Sequence, residues 1–211
     1  MRFFVFTLGF HEDFVIRRLS RKAAQPGDGL LVVTASPVVG GVQSAYESLK
    51  DYCRRVGLSE PELLALDLSD EAKAFHVLLS RLGRVVEPVV ADLSGGMRAV
   101  CVLTLLALLI SGKKFELYVS AEGGESVELY VPAGVTKSFT SLSSEKLNLL
   151  REIARSPGIS SEALARRLRK SLKTVRNHLW ELKAMGLVSA HGRGAPLTLT
   201  KWGLVLAGVP A

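Results

Sequence analysis

The chain has 211 residues, 48% apolar and 22% charged, with a formal net charge of +7. That length allows one large domain or a medium domain plus a small one, and the apolar fraction excludes a disordered chain. Two cysteines, Cys53 and Cys101, cannot build a disulfide framework or a zinc site. The apolar run Ala99–Ile110 is far shorter than the roughly 20 residues of a bilayer span, and the N-terminus lacks signal-peptide features. A reduced cytoplasmic setting with no membrane partner is expected.

Strand patterns fall at Phe3–Leu8, Leu30–Thr34, Leu63–Leu66, Pro88–Asp92 and Phe115–Ser120, each bounded by polar or glycine-containing turns. Helical patterns near Glu12–Lys22, Val42–Val56, Asp70–Arg84 and Gly96–Ser111 separate them. Such alternation implies βαβ units and a parallel sheet covered on both faces. The nearly all-apolar stretch Ala99–Ile110 is then expected to be deeply buried between layers. Phe115–Ser120 and Ser126–Val131 flank Ala121-Glu122-Gly123-Gly124-Glu125, which predicts an antiparallel edge hairpin. Residues 1–131 thus read as a doubly wound, mostly parallel α/β domain. Residues 132–141, holding Pro, Gly, Thr and Ser, read as a linker.

Residues 142–211 follow a helical pattern. Ser143-Ser144-Glu145-Lys146 opens a helix with Leu147, Leu150, Ile153 and Ala154 as its apolar stripe, and Pro157-Gly158 stops it. Ser160 or Ser161 caps a short helix carrying Leu164 and Leu168. Ser171 caps a third, with Leu172, Val175, Leu179 and Leu182 on one face. Leu187–Ala190 and Leu197–Thr200 flank His191-Gly192-Arg193-Gly194-Ala195-Pro196 as a ribbon with a basic tip. Three helices and a ribbon make a winged helix-turn-helix.

The charge points the same way. Residues 1–139 hold 15 Lys and Arg against 16 Asp and Glu, whereas residues 140–211 hold 12 against 4. The basic character belongs to the C-terminal third, which implies an acidic partner there, and the motif names it as double-stranded DNA. A recognition helix enters the major groove with polar and basic side chains on its opening turns. Lys173, Thr174, Arg176, Asn177 and Trp180 are left facing outward on the third helix. Asn177 suits a bidentate contact to adenine, and Arg176 suits guanine or phosphate. Arg166, Arg167, Arg169 and Lys170, with Ser171 at the helix start, suit backbone contacts, and Arg193 suits a minor groove or a phosphate.

In open α/β sheets, ligands bind beyond the carboxyl ends of the strands. Three loops lie there: Leu8-Gly9-Phe10-His11-Glu12, Ala35-Ser36-Pro37, and Asp92-Leu93-Ser94-Gly95-Gly96-Met97-Arg98. In the last, two glycines before a helix, with Ser94 and Arg98, make an anion site suited to phosphate. Neither a G-x-G-x-x-G fingerprint nor a P-loop is present, which disfavours turnover of NAD or ATP.

Thr7-Leu8-Gly9-Phe10, the Ser94-Gly95-Gly96-Met97-Arg98 motif and the C-terminal winged helix together resemble the CRISPR-associated Rossmann-fold (CARF) regulators. Within that family the chain looks most like the archaeal type I-A transcription factors. The resemblance implies a Rossmann-like fold and a homodimer formed through it. It also implies a cyclic oligoadenylate effector, with the tetra-adenylate as the expected ring, and control of CRISPR-associated genes or arrays. Carried over residue by residue, the ligand contacts are Leu8, Gly9, Phe10, Thr34, Ser36, Ser94, Gly95, Gly96, Met97 and Arg98.

Some relatives cleave the ring, and Ser94, Arg98 and His11 offer the types of group such a step needs. His11 as a plain loop residue is the preferred reading, so no catalytic residue, metal ligand or cofactor is assigned. A second reading is also open, in which the chain is a constitutive winged-helix regulator whose α/β domain only dimerises.

Overall fold

The computed structural model describes residues 1–121, 127–190 and 195–209. They divide into two compact units, Met1–Val131 and Pro132–Ala211.

The first unit runs β1 (Phe3–Thr7), α1 (Asp13–Arg21), β2 (Gly29–Ser36), α2 (Gly40–Arg55), β3 (Glu62–Asp67), α3 (Glu71–Gly83), β4 (Val89–Asp92), α4 (Arg98–Ile110), β5 (Phe115–Ser120) and β6 (Glu128–Val131). The sheet order is β3-β2-β1-β4-β5-β6, with the first five strands parallel and β6 antiparallel to β5. This is the expected doubly wound fold with an antiparallel edge strand. The turn between those last two strands lies outside the described residues. All five residues of β1 are buried, as a central parallel strand covered on both faces requires. Helices α1 and α2 pack together on one face, and α3 and α4 pack together on the other, as crossovers of a doubly wound sheet require. On the first face, Phe4, Phe6, Leu30 and Val32 from the sheet pack with Val15 and Leu19 of α1 and Leu49 and Cys53 of α2. Strand order reverses between β1 and β4, so the two loops that leave them open a crevice at the switch point.

One expectation fails on α4. Val100, Thr104, Ala107 and Leu108 are buried, but Val102, Leu106 and Ile110 are 57%, 47% and 61% exposed. An outer-layer helix has one face against its own domain, and this one keeps a second apolar face without a cover from the unit.

In the second unit, α6 (Ser144–Arg155), α7 (Ser161–Arg167) and α8 (Leu172–Ala184) precede a ribbon of β7 (Val188–Ser189) and β8 (Thr198–Leu199). Ser143, Ser160 and Ser171 cap these helices by accepting from the amides of Lys146, Ala163 and Thr174. Leu150, Ile153, Leu164, Val175, Leu179 and Leu182 make the core, which gives the expected winged-helix arrangement. The ribbon tip, His191–Gly194, lies outside the described residues, and Arg193 with it.

Three details differ from the sequence reading. Residues 132–141 are a helix, α5 (Ala133–Ser141), and belong to the second unit. Pro132 is its N-cap, and Gly134 lets it approach so closely that an added Cβ would lie 2.6 Å from the Met185 carbonyl oxygen. A ninth helix, α9 (Lys201–Ala207), follows the ribbon and packs on α6. With that second partner the buried face of α6 takes in Leu149, while Leu147 and Ala154 stay half-buried.

Candidate ligand crevice and nucleic-acid interface

The loops after β1 and β4 pack backbone to backbone. A Cβ on Gly9 would lie 2.9 Å from the Gly96 amide nitrogen, and one on Gly95 would lie 2.9 Å from the Thr7 carbonyl oxygen. Gly96 has φ +90°, a conformation that side chains rarely adopt. Side-chain hydrogen bonds pin the same backbone. The Thr7 hydroxyl donates to the Gly95 carbonyl at 2.5 Å, and the Thr34 hydroxyl donates to the Leu8 carbonyl at 3.2 Å. Cys101 adds its thiol to Gly95 O at 3.2 Å. The glycines therefore serve loop-to-loop contact, and the backbone amides that open α4 are left without a hydrogen bond: those of Gly96, Met97, Arg98 and Ala99 have no acceptor among the described residues. They form a helix N-terminus with open donors.

Beside these donors is a cavity of about 400 Å³ lined by Leu8–His11, Phe14, Thr34, Ala35, Pro37, Val39, Val42 and Ser94–Met97. Its wall is chiefly apolar and aromatic. Phe10 is 65% exposed and lies so close to α2 that a Cβ on Gly41 would meet its ring at 2.7 Å. Free amides beside the exposed Phe10 ring and the half-buried Phe14 ring suit a ligand that carries both phosphate and a flat heterocycle.

Of the ten expected ligand residues, eight line this cavity and two do not. Ser36 is exposed at the end of β2, and Arg98 is exposed at the first turn of α4 with no partner among the described residues. The Arg98 guanidinium is thus unpaired at the N-terminus of α4. Ser94 has another task. Its amide donates to Asp92 Oδ1 at 3.0 Å, its hydroxyl donates to the same oxygen, and its Oγ accepts from the Ser120 amide at 2.8 Å. The hydroxyl proton offered to a phosphate in the sequence reading is committed to Asp92, which makes Ser94 a strut of the loop. Phe14, Val39 and Val42 escaped that reading because their apolar periodicity looks like ordinary core. Their position at the N-cap (Val39) or in the first turn (Phe14, Val42) of helices that follow ligand loops was the available signal. His11 is exposed, and no group among the described residues orients it as a base. Among the described residues there is no cluster of His, Cys, Asp or Glu able to hold a metal, and no helix long and apolar enough to cross a membrane.

On the second unit, Lys173, Arg176, Asn177 and Trp180 share the exposed stripe of α8, and Trp180 is 73% exposed. Arg166, Arg169, Lys173 and Asn177 have no partner among the described residues. Three other expected contacts hold carboxylates of their own unit. Arg167 donates to Ser156 at 2.6 Å and lies 3.4 Å from Glu152, Lys170 lies 2.5 Å from Glu145, and Arg176 lies 2.8 Å from Glu162. Such exposed pairs are weak and exchange readily for a phosphate. Ser171 and Thr174 form the cap of α8, their hydroxyls 2.8 Å apart.

Residues 2–131 match the family described as the Csa3 CRISPR-associated Rossmann-like domain, and residues 141–204 match one described as HVO_A0114. The chain is 33% identical over 205 residues to the "CRISPR locus-related putative DNA-binding protein Csa3" of Saccharolobus solfataricus, covering 97% of this chain and 86% of that protein. A solved MarR family protein of Mycobacterium tuberculosis, in complex with salicylic acid, matches at 30% identity over 36% of this chain and 61% of that one. The TM-score of that match is 0.29. The switch-point crevice on a Rossmann-like sheet, the winged helix and these matches agree: the chain belongs to the Csa3 family of CRISPR-associated proteins, with a CARF-type first domain.

Proposed function

We propose that the chain is a transcriptional regulator of CRISPR-associated genes or arrays, acting in the cytoplasm as a homodimer that binds double-stranded DNA and responds to a cyclic oligoadenylate. The observation that carries the reading is the crevice, where unpaired amides of Gly96–Ala99 and the free Arg98 adjoin an aromatic wall. Phosphates meet the donors and adenine meets Phe10 and Phe14. The exposed stripe Val102, Leu106 and Ile110 supplies a self-complementary face for a two-fold dimer. A ring with its own symmetry, the tetra-adenylate, can then span two crevices. Binding without cleavage is the proposed outcome, since His11 has no orienting partner among the described residues. Paired α8 helices reach half-sites about 34–36 Å apart, and the concentrated positive charge of the second unit supplies the phosphate contacts.

The test is duplex DNA affinity by fluorescence polarisation with and without cyclic tetra-adenylate. Coupling of about 1–3 kcal/mol is expected, and DNA must change the affinity for the ring by the same factor. DNA binding indifferent to the ring would favour the constitutive regulator.

A further inference from the structure

A chain of buried polar contacts leads from the β4 loop to the end of the first unit. Asp92 is 3% exposed, and its two oxygens serve different elements. Oδ1 accepts from the amide and hydroxyl of Ser94, while Oδ2 accepts from Arg18 Nε at 2.7 Å. Arg18, on α1, is 4% exposed. Its guanidinium lies 3.6 Å from the centroid of the Tyr118 ring and donates through its other arm to Glu128 on β6. Glu128 is a quarter exposed and also faces Arg21 at 3.5 Å. β6 is the edge strand, with β5 as its one neighbour, and its last residue, Val131, is followed directly by the N-cap of α5. Within its own unit, α5 rests through Gly134 on Met185, the C-cap residue of α8.

Stability alone does not call for this arrangement, since a buried ion pair is often no better than a well-packed apolar pair. The geometry, however, makes a stiff link. A planar guanidinium wedged on an aromatic face and held at both arms cannot follow Asp92 without also moving Glu128. We propose that Arg18 is a positioning residue that couples the Ser94–Met97 loop to β6, so that ligand at the crevice shifts the strand entering the DNA-binding unit. This inference rests on the ligand-sensing reading above, and it names Glu128 as the separable end of the link.

The test is hydrogen exchange on the full chain with and without cyclic tetra-adenylate, for wild type, Glu128→Ala and Arg21→Ala. In wild type the ring is expected to slow exchange in residues 94–101 and also to change it in residues 128–141. Glu128→Ala is expected to keep the ring affinity and the response at 94–101 while losing the response at 128–141. Arg21→Ala, which removes a surface partner of Glu128, keeps both. A purely structural role for Glu128 would lower basal protection with the ring-induced change intact, and a response at 128–141 that persists in Glu128→Ala overturns the proposal. Wild-type protein that binds no ring overturns the sensor reading and the link with it.

Discussion

Asp92→Asn is the perturbation whose size can be worked most fully from the structure. The carboxylate accepts three hydrogen bonds, two from Ser94 and one from Arg18, and both Asp92 and Arg18 are almost wholly buried. An amide has one acceptor oxygen and a donor nitrogen of the same shape. Turned one way, its NH2 faces Arg18 Nε; turned the other, it faces the Ser94 amide. Breaking one side of a buried ion pair costs about 3–5 kcal/mol, and Arg18 keeps Glu128, so about 3 kcal/mol is expected. The assay is urea denaturation of wild type, Asp92→Asn and Ser94→Ala, followed by fluorescence and circular dichroism. Ser94→Ala removes one hydroxyl bond to Asp92 and the acceptor for the Ser120 amide, and should cost about 1–2 kcal/mol. Asp92→Asn within about 1 kcal/mol of wild type would refute the assignment of Asp92 as the shared anchor.

Four further outcomes are expected. Leu106→Glu, placed twice across a two-fold α4 contact, should give a monomer in sedimentation velocity while leaving the fold intact; a variant that remains dimeric rules out this face. Asn177→Ala should lose about 1–3 kcal/mol on one base pair of an operator, whereas Lys173→Ala should weaken all sequences and reduce the salt slope by about 1, as read in competition titrations at several salt concentrations. Gly203→Ala would place a Cβ 2.0 Å from the Leu187 carbonyl oxygen, lifting α9 from the ribbon at a cost of about 2–3 kcal/mol in thermal or urea unfolding. Burial pushes the Asp28 carboxyl up, but hydrogen bonds from the Gln25 and Arg2 amides and the Arg2 guanidinium outweigh it and hold the carboxyl below the usual range. Its stabilisation is complete above the ordinary carboxylate value near pH 4 and is lost as pH falls through the lowered folded value. Wild type and Asp28→Asn should therefore differ at neutral pH and converge in acid unfolding curves.

The α/β alternation was legible because each strand of the first unit is a short β-rich run bounded by turn residues, and each helix has a periodic face. Long-range partnership was not. Nothing in the spacing of Arg18, Asp92 and Glu128 reveals that they meet, since 74 and 110 residues separate Arg18 from its two carboxylates. The Ser94 hydroxyl looked available although its acceptor, Asp92, is close in sequence, because an Asp-x-Ser spacing does not show which way the carboxylate turns. On α4 an all-round apolar pattern cannot say which faces meet the domain, so burial was overestimated at Val102, Leu106 and Ile110. Pro132 and Gly134 are equally good signals for a linker and for the opening of a helix, and the Met185 carbonyl that decides between them lies on a distant segment. The α8 face was read correctly from Val175, Leu179 and Leu182, yet Glu145, Glu152 and Glu162, which hold three of its surrounding cations, belong to other helices.

The central claim is that the first unit is a two-fold sensor of a cyclic oligoadenylate, and calorimetric titration with cyclic tetra-adenylate tests it most directly. Wild type should bind tightly at one ring per two chains. Arg98→Ala, which removes an exposed and unpaired guanidinium and leaves the fold undisturbed, should bind far more weakly. Folded wild-type protein that binds duplex DNA but gives no heat with the ring, or an Arg98→Ala variant equal to wild type, would contradict the account.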